Sequence, residues 1–571
     1  MKINKNLLFL KIIVVVLWLI SAHFICQIGP SAVGETILKF SKAVGICQHR
    51  CDFLGPYSQD IFMGLFFLVL SILLSVYTHF KSWVDTYVDR HYLSMLRILI
   101  GVLVLLSFFM AINKSYAHDE YEHIHCAWLL KENSVPYRDF FENHHPLLWI
   151  MLMPFILLSQ DTVWALTLSR LVMFGIFLCT VYLTFHITHL LTRSMQKSLA
   201  AIIFLVSMEL FVFYGIEIRP DNAQLMFMLL SLYTLLKYLE SRKMHYIALS
   251  GSLLSISFLF LQKAIFPILG ITIGLRWFKK RGELNHASLL IFSLCFFIPI
   301  ILFMGYLISH NALKDYWISA WLFNQYHFKA STATNLMYTA YSINPYIVGK
   351  AEIMINRYNL FWIFSIFGCV YILGKRKFSF STKFMPLLAL FIWLPIFLIR
   401  DPYAQYFIPA IPLFCIANGI VLCEIFENLR MKSSLRLFIF ACMIFIPSIA
   451  HTRLAMTPAT HIQKKMLTFV LNNSQRSDYI YDGDIRFNLF NPDVHYLWYY
   501  LSPYGWGKGL TLYNETSNGR FKNYDICELI RKKEPQIVSN HALDLKKCGL
   551  DDKYFQTEFK GIYLRHSSKI K

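Results

Sequence analysis

Long apolar runs recur along this chain, each closed by charged or turn-forming residues. They lie at about 6–28, 61–80, 96–113, 164–191, 198–215, 222–240, 246–261, 264–277, 288–308, 358–374, 384–399, 406–426 and 434–450. Most approach the roughly 20 residues that a helix needs to cross hydrocarbon. The pattern predicts a mainly α fold, a polytopic transmembrane helix bundle of about thirteen spans. The first run follows Lys2 and Lys5, is long for a signal peptide and has no small-residue cleavage site, so it reads as an uncleaved anchor.

The connecting loops give the orientation. With the N-terminus in the cytoplasm, the inside loops carry Lys81 and Arg90, Arg193 and Lys197, Arg242 and Lys243, Lys279 to Arg281, Lys375 to Lys377 with Lys383, and Arg430, Lys432 and Arg436. The bias persists to the last span, as the positive-inside rule requires of a correct parity. The loops 114–163 and 309–357 and the tail after residue 450 are then outside.

The tail changes character, with many charges and no spanning run. His461–Asn473 reads as an amphipathic helix with Ile462, Met466, Phe469 and Val470 on its apolar face. Asp478–Tyr481 reads as a strand, Asp525–Lys533 as a helix, and Gln536–Ser539 and Ile562–Leu564 as strands. Such alternation predicts a small C-terminal extramembrane α/β domain over 451–571, after an 81–450 transmembrane domain and a two-span extension over 1–80. Cys527 and Cys548 are a candidate disulfide in the tail, and Cys47 and Cys51 a weaker one.

Composition agrees. Hydrophobic residues make up 56% and charged residues 15% of the 571, against about 25% charged in soluble proteins. The net charge of +20 is accounted for by the cytoplasmic flanks of the spans, and no nucleic-acid motif accompanies it. No CxxC pair, zinc spacing, GxGxxG or P-loop occurs, so no nucleotide cofactor is expected.

The densest chemistry follows the span ending near Asn113. Tyr116 to His125 holds Asp119, Glu120 and Glu122 with His118, His123 and His125. On a helix, Asp119 and His123 share a face at i,i+4, and Glu120 and His123 are neighbours at i,i+3. Pro136-Tyr137-Arg138-Asp139 and Glu142-Asn143-His144-His145-Pro146 come next, and then an apolar run, Leu147–Leu158, too short to span and suited to the interface. Carboxylates at a membrane rim are costly and point to a site where a lipid headgroup meets a polar partner. A solvated loop and a metal cluster are the alternatives, and both stay open here. Further cations end other outside turns: Arg219 in Glu217-Ile218-Arg219-Pro220-Asp221, Lys263 between two spans, and Arg400 in Arg400-Asp401-Pro402-Tyr403. Each alone suits snorkelling; together they suit a lipid phosphate.

These segments resemble the GT-C membrane glycosyltransferases, in particular the glycosyltransferase family 39-like branch of protein O-mannosyltransferases and lipid A aminoarabinose transferases. The resemblance rests on Asp119-Glu120 after a span, Pro136-Tyr137-Arg138-Asp139, Glu142 with His145-Pro146-Leu147, Arg219-Pro220-Asp221, Lys263 four residues before Pro267, and Arg400 with Tyr406 and Pro409. It covers about 95–450. The two spans before residue 81 are an addition, and His144-His145-Pro146 stands where the family often has His-Pro-Pro or Lys-Pro-Pro.

The resemblance implies transfer of a sugar from a polyprenyl-phosphate donor to a lipid, glycan or protein acceptor, at the outer face of a bacterial plasma membrane. It implies Asp119 as general base with Glu120 beside it. Glu142, His145, Glu122 and His123 would position the acceptor or a divalent metal ion, and Arg219, Lys263 and Arg400 would contact the donor phosphate. A multi-pass transporter or a lipid-linked glycan flippase or polymerase is the competing expectation; the rim location of the charges and the missing repeat speak against the transporter.

Overall fold

A computed structural model describes residues 81–330, 351–398, 404–483, 485–498, 506–522, 525–539 and 543–566. Arg400, the runs at 6–28 and 61–80, and Cys47 and Cys51 lie outside the described residues. The chain divides into two compact units: Met1–Leu96 with Leu429–Met443, and Arg97–Asn428 with Ile444–Lys571. The described part of the first is the start of helix α1 (Lys81–Asn113) and the start of α16 (Ser433–Met456). Everything below concerns the second.

Helices run in the order α2 (His118–Lys131), α3 (Leu147–Ser159), α4 (Trp164–Thr192), α5 (Met195–Ser207), α6 (Glu209–Gly215), α7 (Pro220–Ser241), α8 (Met244–Phe260), α9 (Ile265–Lys280) and α10 (His286–Ser309). Next, α11 (Leu313–Tyr316) passes through a π turn, Trp317–Leu322, into α12 (Phe323–Ala330), followed by α13 (Ala351–Gly374), α14 (Phe380–Trp393) and α15 (Ile411–Asn428). Over their described residues the apolar runs expected from residue 96 onward therefore fall mainly on helices. Among the described residues four helices are long and apolar enough to cross a membrane, or up to six if each bent pair is one span. One such pair is α5 and α6, bent by 70° at Met208.

The ends obey local rules. Ser194 caps α5 by accepting the Lys197 N–H, and Asn285 caps α10 by accepting that of Ser288 at 2.8 Å. Pro220 opens α7, where its missing N–H costs nothing. Two glycines set close helix approaches. A Cβ on Gly251 of α8 would stand 2.3 Å from the Phe292 carbonyl oxygen of α10, and one on Gly419 of α15 2.5 Å from the Ala201 nitrogen of α5.

The short run expected in the interface is α3. It buries Leu148, Trp149, Leu152 and Ile156 and exposes Ile150, Leu157 and Leu158.

The tail forms α17 (Thr460–Asn472), β1 (Ile480–Tyr481), α18 (Trp506–Thr516), α19 (Ile526–Lys533), β2 (Ile537–Ser539), β3 (Tyr554–Gln556) and β4 (Ile562–Arg565). The sheet order is β1-β2-β4-β3, with β1 and β2 parallel and the other pairs antiparallel. Cys527 and Cys548 are disulfide-bonded. One expectation is corrected: Ile462 is 71% exposed, and Leu467 and Val470 are the buried apolar residues of α17. The helix is turned by Gln463, whose side chain both accepts the Tyr116 N–H and donates to the Tyr116 carbonyl. Leu467, Val470, Ile480, Ile537 and Ile562 share one core with Tyr121, Trp128 and Trp149, so the tail packs directly on α2 and α3.

Candidate active site

Helix α2 is polar by composition and yet buried from Glu120 to Leu129. Its placement follows from its partners, since its own hydropathy would leave it in water. Asp119, Glu122, His123 and Cys126 recur at helical spacing on one side. Glu120 turns to the other.

Glu120 is fully buried and takes the Arg170 guanidinium in two bonds, Nε to Oε1 at 2.8 Å and Nη2 to Oε2 at 2.6 Å. The Ile218 N–H adds a third at 3.1 Å and the Ala117 N–H a fourth at 2.8 Å. Burial pushes its carboxyl up, but Arg170 outweighs this and holds it below its ordinary value. Both oxygens are occupied, which fixes α2 against α4 and the Glu217–Pro220 turn.

Asp119 differs. It is 30% exposed, and its Oδ2 accepts from Arg219 Nη1 at 2.5 Å. Arg219 also gives its Nε to Glu217 Oε2 at 2.5 Å, and Glu217 in turn pairs with Lys114. Burial raises the Asp119 pKa, but Arg219, with smaller help from His123, His144 and His118, brings it below the usual carboxylate value.

Glu122 and Glu142 form a buried acidic pair with His144 between them. His144 Nδ1 is 2.8 Å from Glu142 Oε1 and 3.4 Å from Glu122 Oε1. Glu142 Oε1 also accepts the N–H groups of Asn143 at 2.7 Å and His144 at 3.1 Å, and its Oε2 lies 3.4 Å from Cys126 Sγ. Neither Glu122 oxygen accepts a hydrogen bond. Burial and the neighbouring Glu142 push the Glu122 carboxyl well up. Glu142 goes down to about 2, because the His144 bonds overcome its burial. For His144 too burial is overcome, and the two carboxylates raise it to about 10. One ligand atom from each of these three residues lies within 4.8 Å of the others. Two buried carboxylates and an imidazole at this spacing fit a divalent cation.

The other histidines are placed as follows. His123 accepts the Trp149 indole N–H on Nδ1 at 3.2 Å, its ring 5.5 Å from that of His144, and burial drives its pKa to about 3. His145 is placed away from the carboxylates. It donates Nδ1–H to the Phe258 carbonyl at 2.7 Å and accepts the Tyr316 hydroxyl on Nε2 at 2.9 Å, and Tyr316 accepts the Trp321 N–H. Burial lowers it to about 4, so it is the neutral ring this chain requires. It is His144, and not the expected His145, that stands beside Glu142.

The downstream segments converge. Asp221, Lys263, Pro267, Tyr406 and Pro409 line one narrow crevice. Lys263 Nζ stands 3.3 Å over the Tyr406 ring and 4.0 Å from Asp221 Oδ1. Burial lowers its pKa to about 8 against the pull of Asp221. The crevice sets one ammonium and one carboxylate, Lys263 and Asp221, among mainly apolar walls. Sequence reading left Lys114, Cys126 and Trp149 unassigned.

Residues 143–308 match the family model described as dolichyl-phosphate-mannose-protein mannosyltransferase. No curated protein matches the chain in sequence. Its fold is similar to that of ArnT from Cupriavidus metallidurans, solved bound to undecaprenyl phosphate, with TM-score 0.52, 9% identity, and 69% of this chain and 84% of that chain covered. It is also similar to the oligosaccharyltransferase of Archaeoglobus fulgidus tethered to an acceptor peptide, with TM-score 0.50, 12% identity, and 85% and 75% covered. The resemblance read from the sequence is thus borne out as a similarity: residues 143–308 match this one family model, and over 69% and 85% of the chain the fold is similar to those of ArnT and the oligosaccharyltransferase.

Proposed function

We propose that this protein transfers a sugar from a polyprenyl-phosphate donor to an acceptor at the outer membrane face, with Asp119 as general base. The carrying observation is Asp119 itself: a partly exposed, ionised carboxylate on a helix whose same face carries Glu122 and His123 toward Glu142 and His144. A lipid-phosphate donor is supported by the crevice around Lys263 and by the undecaprenyl phosphate in the ArnT structure.

In this reading the acceptor oxygen attacks the anomeric carbon and gives its proton to Asp119. The bond from that carbon to the donor phosphate breaks, and the polyprenyl phosphate leaves with the electron pair. Lys263 and Arg219 stabilise the charge on the departing phosphate. Arg400 belongs to the same proposal by its place in the sequence. Glu120 keeps α2 in place through Arg170 and has no free oxygen for the acceptor. Glu122, Glu142 and His144 would hold a divalent ion, which when bound would supply positive charge beside the reacting groups. The tail, with its disulfide, would lie outside with the site.

The test is turnover of a panel of polyprenyl-phosphate sugars by the purified protein in lipid. Release of polyprenyl phosphate with a glycosylated or hydrolysed product supports the reading. A labelled donor that crosses the bilayer unchanged would replace it with a flippase.

A further inference from the structure

Helix α2 is braced at both ends by one irregular segment of the tail, residues 485–498. At the first end His118 Nδ1 lies 3.4 Å from the Ile485 carbonyl. At the other, His125 Nδ1 lies 3.1 Å from the Leu489 carbonyl and its Nε2 2.7 Å from Asp493 Oδ2. Seven residues of helix, about 10.5 Å of rise, separate the two contacts. Asp119, Glu122 and His123 lie between them.

The Asp493 contact is built rather than incidental. The second Asp493 oxygen takes the Asn488 amide at 2.9 Å. Its backbone is bridged to Ile480 of β1, whose N–H donates to the Pro492 carbonyl at 3.0 Å. Asp482 gathers the N–H groups of Arg486, Phe487 and Asn488 on one oxygen, at 2.7 to 2.9 Å, which shapes the segment without helix or strand. The His125 ring is fully buried, stacked on Trp128 and packed on Trp498 with centroids 5.5 and 4.6 Å away.

We infer that Asp493 is a positioning residue for the transfer reaction: through His125 it ties the register of α2 to the tail's sheet and so fixes the Asp119, Glu122 and His123 face. Glu120 and Arg170 anchor the opposite side of the helix, Arg219 and Trp149 meet its Asp119 and His123, and the His125–Asp493 bond is the side-chain tie that joins its later turns to the tail's sheet. This inference rests on the function proposed above. Displacing a reacting group by about 1 Å can cost on the order of a hundredfold in rate.

The experiment compares wild type, Asp493→Ala and Asp493→Asn in lipid nanodiscs, by amide hydrogen exchange and by steady-state transfer. In Asp493→Ala, exchange over 118–131 rises about tenfold or more while 164–192 is unchanged. Its kcat falls about tenfold or more with the donor KM within twofold of wild type. Asp493→Asn keeps an oxygen toward His125 and recovers most of the kcat. Unchanged exchange in α2, an unchanged kcat, or a loss confined to KM would overturn the inference. If Asp493→Ala does not fold, Asp493→Glu carries the test, since its longer arm displaces His125 while keeping the charge; a Glu variant with wild-type kcat overturns it. Because exchange needs no substrate, a wild type that transfers nothing would count against the proposed function, and unchanged exchange against the brace.

Discussion

Arg219 holds Asp119 at 2.5 Å through Nη1 while its Nε is taken by Glu217, so one guanidinium serves two carboxylates. Burial raises the Asp119 pKa, but Arg219 together with His123, His144 and His118 keeps it below its ordinary value. Asp119 is therefore charged throughout the neutral range, and its stabilising share is lost only as pH falls through the lowered folded value. The acid limb of kcat/KM is expected below the ordinary carboxylate range. In Arg219→Gln it moves up, and activity at pH 5 falls more than at pH 7. Coincident limbs in a pH–rate profile of the two proteins would remove Asp119 as the titrating base.

Lys263 sets the alkaline side. Burial lowers it to about 8, so its charge is present below that pH and lost above it. Donor KM is expected to rise above pH 8 in wild type. In Lys263→Met it should be raised tenfold or more at pH 7, about 1.4 kcal/mol or more, and flat between pH 7 and 9. A Lys263→Met enzyme that keeps the wild-type KM and its pH dependence would place the phosphate elsewhere.

Glu120 and Arg170 are a buried pair, and breaking one from a single side leaves an uncompensated charge costing roughly 3–5 kcal/mol. Glu120→Gln should therefore lower the thermal midpoint in lipid by many degrees. Asp119→Asn, at a partly exposed site, should lower it far less. Equal shifts for the two variants would mean that Glu120 does not anchor α2.

The Glu122, Glu142 and His144 cluster is testable without turnover. Equilibrium dialysis with Mn²⁺ or Zn²⁺ should give one ion per wild-type chain and none in Glu142→Gln. Wild type that binds no ion leaves the acidic pair as a shared-proton site.

The membrane helices were legible because each is a long apolar run, and hydropathy alone fixes that. Asp119, Glu120 and Glu142 stood out because carboxylates beside a span are rare. Their separate fates were not legible. Whether Glu120 or Asp119 meets Arg170 depends on which side of α2 packs against α4, and a helix with charge all round gives no such signal. His144 and His145 are adjacent, and only the chain's path between α2 and α8 sends one to the carboxylates and the other to Phe258 and Tyr316. In the tail, β3 has three residues, too few for a period to emerge, and α17 was turned by the polar bonds of Gln463 rather than by its apolar count. The brace of 485–498 on α2 joins residues more than 360 apart in sequence, a distance no local pattern spans.

The most direct test of the central claim is sugar release from polyprenyl-phosphate donor under single-turnover conditions, comparing wild type with Asp119→Asn in lipid. The account predicts a rate lower by about 10²–10⁴-fold in the variant, with donor affinity and thermal midpoint close to wild type. Full transfer by a folded Asp119→Asn protein would contradict it.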